Sequence, residues 1–158
     1  MPRLTVIRAN KPFEAVVSDF SAAVGHPDLG AFQNHLGAAQ NLAEMETVIR
    51  GALGPSGFME FARYDLGAFV RKESGLETPK IIRFVVGNPL IMKEMVKHVP
   101  EAGLYAPVTV LIDERADGVH LSYDYMAGFL ARSENEQALR VARDLDAKVE
   151  RLLHLAAA

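Results

Sequence analysis

The chain has 158 residues, a formal net charge of −3, 49% hydrophobic and 23% charged residues, and no cysteine. A chain of this length suits one domain whose core is large enough to fold without disulfides. Without cysteine, the protein cannot form disulfides, zinc–thiolate sites or iron–sulfur clusters, and it cannot use a thiolate nucleophile. The slightly acidic charge balance gives no electrostatic reason to expect nucleic acid as a partner.

Hydrophobic periodicity predicts helices and strands throughout the chain. Residues 29–40 fit either a short helix or a packed loop. The other elements, in chain order, are a strand over 4–9, a helix starting at Asn10-Lys11-Pro12, a helix over 42–53, a strand over 58–65, a short helix over 66–73, a strand over 80–86, a helix starting at Asn88-Pro89, a hairpin of strands 107–113 and 118–124, and a C-terminal helix over about 133–156.

Two local patterns give finer expectations. Alternation in the second predicted strand, over 58–65, puts Phe58, Glu60, Ala62 and Tyr64 on one face. The run Ser133-Glu134-Asn135-Glu136 has the form of a capping box, so we expect Ser133 to begin the last helix.

The strands 80–86 and 107–113 carry apolar residues on both faces. Such strands require cover on both faces of the sheet. Helices of the same chain can cover one face. The other face needs the segment 29–53, the C-terminal helix or a second subunit, and we expect a homodimer because symmetric dimers are the commonest oligomers.

An ordered set of short motifs lies between about residues 58 and 130. The motifs are Phe61-Ala62-Arg63-Tyr64-Asp65, Phe84-Val85-Val86-Gly87-Asn88-Pro89, Gly103-Leu104-Tyr105-Ala106-Pro107 and Asp117-Gly118 followed by residues 119–124. In order and spacing they resemble the family catalogued as domain of unknown function 302. The resemblance implies a small α+β domain with an antiparallel sheet of about four to five strands and helices packed on it. It implies no established activity.

The chain departs from the family pattern at several places. Leu66 stands where the family often has histidine, and Ala106-Pro107 replaces a common Leu-Pro pair. About 30 additional residues lie around 26–55. The expected organisation is therefore a single domain over 1–158, with a family-like core, an inserted segment and a long C-terminal helix.

Four side chains are candidates for acid–base catalysis: Asp65, His120, Tyr123 and Asp124. His120, Ser122 and Asp124 fall on one strand face, with the side-chain types of a hydrolase triad. Consecutive same-face residues lie about 7 Å apart, however, whereas a triad needs hydrogen-bond contact. The simpler interpretation is a polar outer face, with Asp65 capping the next helix.

Three further side chains are candidate ligand contacts. Arg83 in an apolar strand needs a carboxylate from Asp65, Glu60, Asp113 or Asp124, or an anion from a ligand. Asn88 begins a helix whose free N–H groups could hold an anion, although capping is the simpler role. His35 is the histidine to consider as a haem ligand, while no histidine pair has metal-site spacing.

Three functional hypotheses remain. The first is a protein that binds a small, partly apolar molecule between the segment 26–55 and the sheet. Phe32, Leu36, Leu42, Met45, Ile49 and Met59 would form its walls, with Gln33, Asn34, His35 and Gln40 as polar contacts. The second is a metal-independent enzyme that uses Asp, Tyr and His. The third is a dimeric interaction module built on the last helix or the dimer face.

The cofactor is unassigned. The start of the chain lacks a signal-peptide pattern, no window is apolar enough to span a membrane, and we expect a cytoplasmic protein.

Overall fold

A computed structural model describes residues 4–158 of the protein. The strands are β1 Leu4–Ala9, β2 Met59–Asp65, β3 Ile81–Gly87, β4 Val108–Arg115 and β5 Gly118–Asp124. The helices are α1 Phe13–Ala23, α2 Leu29–Ala38, α3 Leu42–Ala52, α4 Gly67–Ser74, α5 Pro89–Val96, α6 Met126–Leu130 and α7 Glu136–Ala157, with 3-10 turns at Pro100–Leu104 and Ala131–Ser133. The predicted α+β class, with a five-stranded sheet and a long C-terminal helix, is confirmed. No helix within residues 4–158 is both long and apolar enough to cross a bilayer.

All five strands form one antiparallel sheet in the order β1-β5-β4-β3-β2. The first and last strands of the chain pair with each other, with Leu4 opposite Asp124 and Ala9 opposite Val119. Gly118 leads into β5 at a φ of 131°, and a Cβ there would lie 2.9 Å from the Ala9 carbonyl oxygen. This position therefore favours glycine, as the predicted Asp117-Gly118 turn requires.

The inner face of the sheet, which carries Phe84, Val110 and Leu121, holds the main core. Helices α1, α5 and α7 pack together over this face. Phe20 of α1 meets Phe84 with 4.7 Å between the ring centroids. The C-terminal helix buries an apolar stripe here, which includes Leu139, Leu145, Val149 and Leu152.

The outer face, which carries Arg83, Leu111 and Ser122, remains largely uncovered. Leu4 is 57% exposed and Val6 is 47% exposed. Of the three covers considered for this face, the C-terminal helix does not provide it, because α7 joins α1 and α5 on the inner face. The segment 29–53 packs instead at the start of β2, where Phe32, Ile49 and Ala52 enclose Met59.

Two local expectations are wrong for identifiable reasons. A β-bulge in β2 lets Glu60 pair with Val86 while Ala62 pairs with the adjacent Val85, so Glu60 and Ala62 point to opposite faces. At the start of α7, the Asn135 side chain accepts a hydrogen bond from the Ala138 N–H at 2.9 Å. Asn135, rather than Ser133, is therefore the N-cap, since Glu134 adopts a left-handed conformation at φ 54°.

Helices α2 and α3 are tied to the rest of the fold by a close backbone crossing. The Gly25 N–H donates to the Phe58 carbonyl at 2.8 Å, and the Glu60 N–H donates to the Gly25 carbonyl at 2.8 Å. A Cβ on Gly25 would lie 1.8 Å from the Ala52 carbonyl oxygen. The crossing therefore needs glycine, and it fixes the end of α3 beside the start of β2.

Candidate functional site

A cavity of about 360 Å³ lies between α2, α5 and the end of the sheet. Helix α2 contributes Phe32, Gln33 and Leu36 to one wall, and all three are among the residues predicted to surround a cavity beside this segment. The remaining lining residues are Phe61, Gly87, Asn88, Pro89, Ile91, Met92, Met95, Gly103, Ala106, Pro107, Val108 and Leu145. We call this space the α2–α5 cavity.

The β-bulge and Gly87 give the α2–α5 cavity its shape. The bulge turns Phe61 out of the regular alternation of β2 and into the lining. A Cβ on Gly87 would approach Pro107 Cβ to 3.1 Å and Phe61 Cε2 to 3.4 Å. A side chain at position 87 would therefore fill the space between β2 and the loop before β4.

The chemistry of the lining is neutral. None of the fifteen lining residues is Asp, Glu, Lys, Arg or His. Two polar side chains are present, and that of Asn88 already accepts from the Leu90 N–H at 2.9 Å and donates to the Gly57 carbonyl at 3.0 Å. The amide of Gln33, on an exposed residue of α2, is the polar side chain left to meet a ligand.

The other contacts predicted around this segment lie elsewhere. Leu42 is 54% exposed, whereas Ile49 and Met59 are buried in the small core beside the cavity, with Met45 packed against it. His35 is exposed and borders a separate hollow between α2 and α3. Asn34 and Gln40 are also exposed and are absent from the lining.

Asn88 takes the capping role at the start of α5. Since its side chain occupies the Leu90 N–H, one of the free N–H groups that an anion would need is already bonded. The sequence motif Gly87-Asn88-Pro89 thus builds the junction between β3 and α5, and two of its roles, the cap and the Pro at the first turn, were predicted.

Arg83 extends from the outer face and is exposed. Its Nη2 lies 3.4 Å from Thr109 Oγ1, and its Cζ lies 5.8 Å from the centroid of the Tyr64 ring. Within residues 4–158 no carboxylate lies within 4 Å of Arg83. Three of the four carboxylates considered as partners pair with other arginines, namely Asp65 with Arg71, Glu60 with Arg63 and Asp113 with Arg115. The expectation of a buried charge in need of compensation is wrong, since this face of β3 is open.

The four candidate acid–base residues do not share a cleft. Asp65 ends the edge strand β2, where it accepts from the Ala68 N–H at 3.1 Å and pairs with Arg71 at 2.8 Å. His120 and Asp124 lie on the outer face at opposite ends of β5, opposite Arg8 and Leu4 respectively. Tyr123 points to the inner face and is 2% exposed. The geometry therefore supplies no common reacting position for them.

Tyr123 belongs to a buried structural network. Its hydroxyl donates to Asp146 Oδ1 at 2.6 Å, and the same carboxylate accepts from the N–H groups of Met126 at 2.8 Å and Ala127 at 3.1 Å. Burial raises the pKa of Asp146, although its hydrogen bonds act in the opposite direction. Burial and the neighbouring Asp146 charge raise the pKa of Tyr123. The network holds the start of α6 against α7.

Asp146 is the residue that sequence reasoning missed. It lies four residues after Ala142 and three before Val149, both members of the apolar stripe. Since residues at these spacings share a helix face, a carboxylate at this position signals a buried partner.

His120 pairs with an aspartate at the hairpin. Its Nε2 lies 2.7 Å from Asp117 Oδ1, and this hydrogen bond lowers the pKa of Asp117. His120 Nδ1 and Asp113 Oδ1 are buried atoms without a hydrogen-bond partner among the described residues. The two residues are cross-strand neighbours in β4 and β5.

Comparison with known proteins identifies the family. The chain belongs to the family "Domain of unknown function DUF302", whose model matches residues 34–156. This confirms the predicted resemblance and extends it beyond residues 58–130, to include the second half of α2, all of α3 and nearly all of α7.

A solved structure supports the fold. The uncharacterised conserved protein DUF302 from Bacillus stearothermophilus aligns with a TM-score of 0.67 and 9% identity, covering 97% of each chain. At this identity the likeness concerns the fold alone. No curated protein sequence matches the chain.

Proposed function

We propose that the protein binds a small, uncharged and largely apolar molecule in the α2–α5 cavity. The observation that carries this proposal is a space of about 360 Å³ lined by fifteen residues without an ionisable group. A volume of this size lies within the range of small-molecule pockets. Because a charged group would lose its hydration there without gaining a partner, the cavity favours a neutral ligand.

A neutral fluorescent probe tests this proposal directly. N-phenyl-1-naphthylamine should bind the wild-type protein with increased fluorescence, whereas the anionic probe 1-anilinonaphthalene-8-sulfonate should bind at least about tenfold more weakly. Met92→Trp places a larger side chain in the lining and should abolish binding of the neutral probe. Leu155→Trp, at an exposed position of α7, is the matched control and should bind it normally.

Two results would overturn the cavity proposal. One is a wild-type protein that does not bind the neutral probe. The other is equal binding by Met92→Trp and Leu155→Trp, because the probe would then occupy another surface. Native mass spectrometry of freshly purified protein adds a further test, since a natural ligand should appear as a discrete mass addition that Met92→Trp lacks.

We also propose that the chain forms a homodimer through the outer face. The observation that favours this second proposal is the open face itself, with Leu4, Val6 and Tyr64 each about half exposed. Apolar side chains on an uncovered sheet face are typical of an interaction surface. In sedimentation velocity, Val6→Glu should shift the protein from dimer to monomer, whereas Leu155→Glu should remain dimeric. A monomeric wild type would overturn the proposal.

A further inference from the structure

Two uncompensated charges of opposite sign lie on the outer face, one on each side of β4. Arg83 is on β3 and Asp124 is on β5, and both are exposed. Within the described chain, neither has an ion-pair partner within 4 Å. The neighbouring charges on this face are engaged, since Arg115 binds Asp113 at 2.6 Å and Asp117 interacts with both His120 and Arg8.

The two charges do not form an ion pair with each other within residues 4–158, where β4 lies between them. Thr109 of β4 pairs with Val85, and Leu111 pairs with both Arg83 and Ser122, so β4 separates the two residues. Two strand spacings amount to about 10 Å, and Asp124 is displaced by a further two residues along its strand. In the described chain both side chains are therefore exposed to water and available to ion-pair partners from another molecule.

We propose that a second copy supplies these partners, and that a two-fold axis running along β4 brings Arg83 of each copy to Asp124 of the partner subunit. This inference rests on the proposed homodimer and specifies its geometry. A rotation about β4 exchanges the two sides of the sheet, so β3 of one copy faces β5 of the other. An axis across the strands would place β3 over β3 and set the two Arg83 side chains against each other. Charge complementarity therefore selects the axis along β4.

The size of the outer face is sufficient for such a dimer. Five strands at about 4.8 Å spacing and seven residues at about 3.4 Å rise give a face of about 24 Å by 24 Å. Two such faces bury roughly 1,100 Å², which is just above the roughly 1,000 Å² expected of a specific interface. Sheets that stack in this way lie about 10 Å apart with strands aligned within about 30°, which an arginine side chain can bridge.

The end of the outer face near Leu104 is compatible with the same two-fold axis. A groove of about 530 Å³ runs over Arg83, Leu111 and Asp124 and ends at Leu104. Tyr105 stacks on Phe129 there, with 4.3 Å between ring centroids, while Leu104 itself is 76% exposed. Because Leu104 lies just before β4, it stands close to the axis and meets Leu104 of the partner subunit.

Charge reversal tests the pairing separately from the dimer. Arg83→Glu and Asp124→Arg should each weaken the wild-type dimer by at least about tenfold in Kd, because each sets like charges opposite each other twice per dimer. An equimolar mixture of the two variants should form a heterodimer with near wild-type affinity, since both contacts are again between opposite charges. The double variant Arg83→Glu/Asp124→Arg should dimerise like wild type. Arg140→Glu, on an exposed part of α7, is the matched control and should have no effect.

Sedimentation velocity on all five proteins gives distinguishable outcomes, with far-UV circular dichroism to establish that each is folded. A monomeric wild type overturns the homodimer and the pairing together. A dimeric wild type whose single charge variants dimerise equally well overturns the pairing and leaves the homodimer standing. Preferential heterodimer formation in the mixture supports both.

Discussion

The inner and outer faces of the sheet are built from alternate residues of the same strands, yet they have different surroundings. On the inner face, Phe84, Val110 and Leu121 are fully buried beneath α1, α5 and α7. On the outer face, the neighbouring Arg83 and Thr109 are exposed, and Val85 and Leu111 are only partly buried. The difference shows that apolar residues on a strand do not determine which face the chain's own helices will cover. The face that is covered depends on where α7 packs, because its narrow apolar stripe can be buried against one face only.

The largest effect separates the two faces by their contribution to stability. Phe84→Ala should lower the free energy of unfolding by about 3–5 kcal/mol, because it opens a cavity against Phe20 in a region that cannot collapse freely. Val85→Ala, the next residue on the outer face, should cost about 1 kcal/mol or less, since it is only partly buried. Urea denaturation measures both. Equal losses would contradict the distinction between the faces.

A smaller effect tests the polar network under the inner face. Tyr123→Phe should lower the free energy of unfolding by about 1–3 kcal/mol, because the buried Asp146 carboxylate loses its hydroxyl donor. Tyr64→Phe makes the same chemical change on the outer face and should cost less than about 0.5 kcal/mol. Thermal or urea unfolding of the two variants would show whether the hydroxyl matters only where it is buried.

The pH dependence of stability provides a third test of the inner face. Burial raises the pKa of Asp146 in the folded chain above its ordinary 3.8. Between these two pKa values the folded chain keeps a proton that the unfolded chain has lost, so this group's contribution to stability is present at acid pH and declines as pH rises. In Asp146→Asn this decline should be missing from the urea midpoints measured from pH 3.5 upward. Asp144→Asn, an exposed position on the same helix, should follow the wild-type profile.

The smallest expected effect concerns the outer face at low protein concentration. Val6→Ser should change the midpoint of thermal unfolding very little in dilute solution, because the side chain is about half exposed in one chain. The wild-type midpoint should rise with protein concentration as the proposed dimer forms, and the midpoint of Val6→Ser should rise less. Calorimetry over a range of concentrations measures this. Parallel concentration dependence would argue against a role for Val6 in association.

The sequence predicted the inner layer well because its signals are local. Helical spacing located α1, α3, α5 and α7 to within a few residues, and Asp117-Gly118 located the hairpin. The segment 29–40, left open between helix and loop, is the helix α2, whose Asp28 side chain caps Ala31 at 2.8 Å. Such capping acts over three residues and can be recognised in a sequence.

The remaining errors concern features that depend on distant residues. The bulge at Phe61 carries no glycine to mark it, and it exists because β2 must meet both β3 and the Gly25 crossing. Arg83 is exposed because α1, α5 and α7 all lie on the other face of the sheet. The sequence around residue 83 carries no information about where those helices pack. For the candidate site, the prediction of a cavity beside α2 rested on an unusual segment of sequence, while ten of its fifteen lining residues come from 87–95 and 103–108.

The pairing of β1 with β5 also bears on how the chain folds during synthesis. Residues 4–9 are made before the other four strands, but their strand partner is residues 119–124, and the start of α6 acquires its carboxylate acceptor only when residue 146 is available. Contacts of such long sequence separation slow folding, because a long loop must close before they form. During synthesis β1 thus lacks its strand partner until β5 has been made, and the sheet is completed only then.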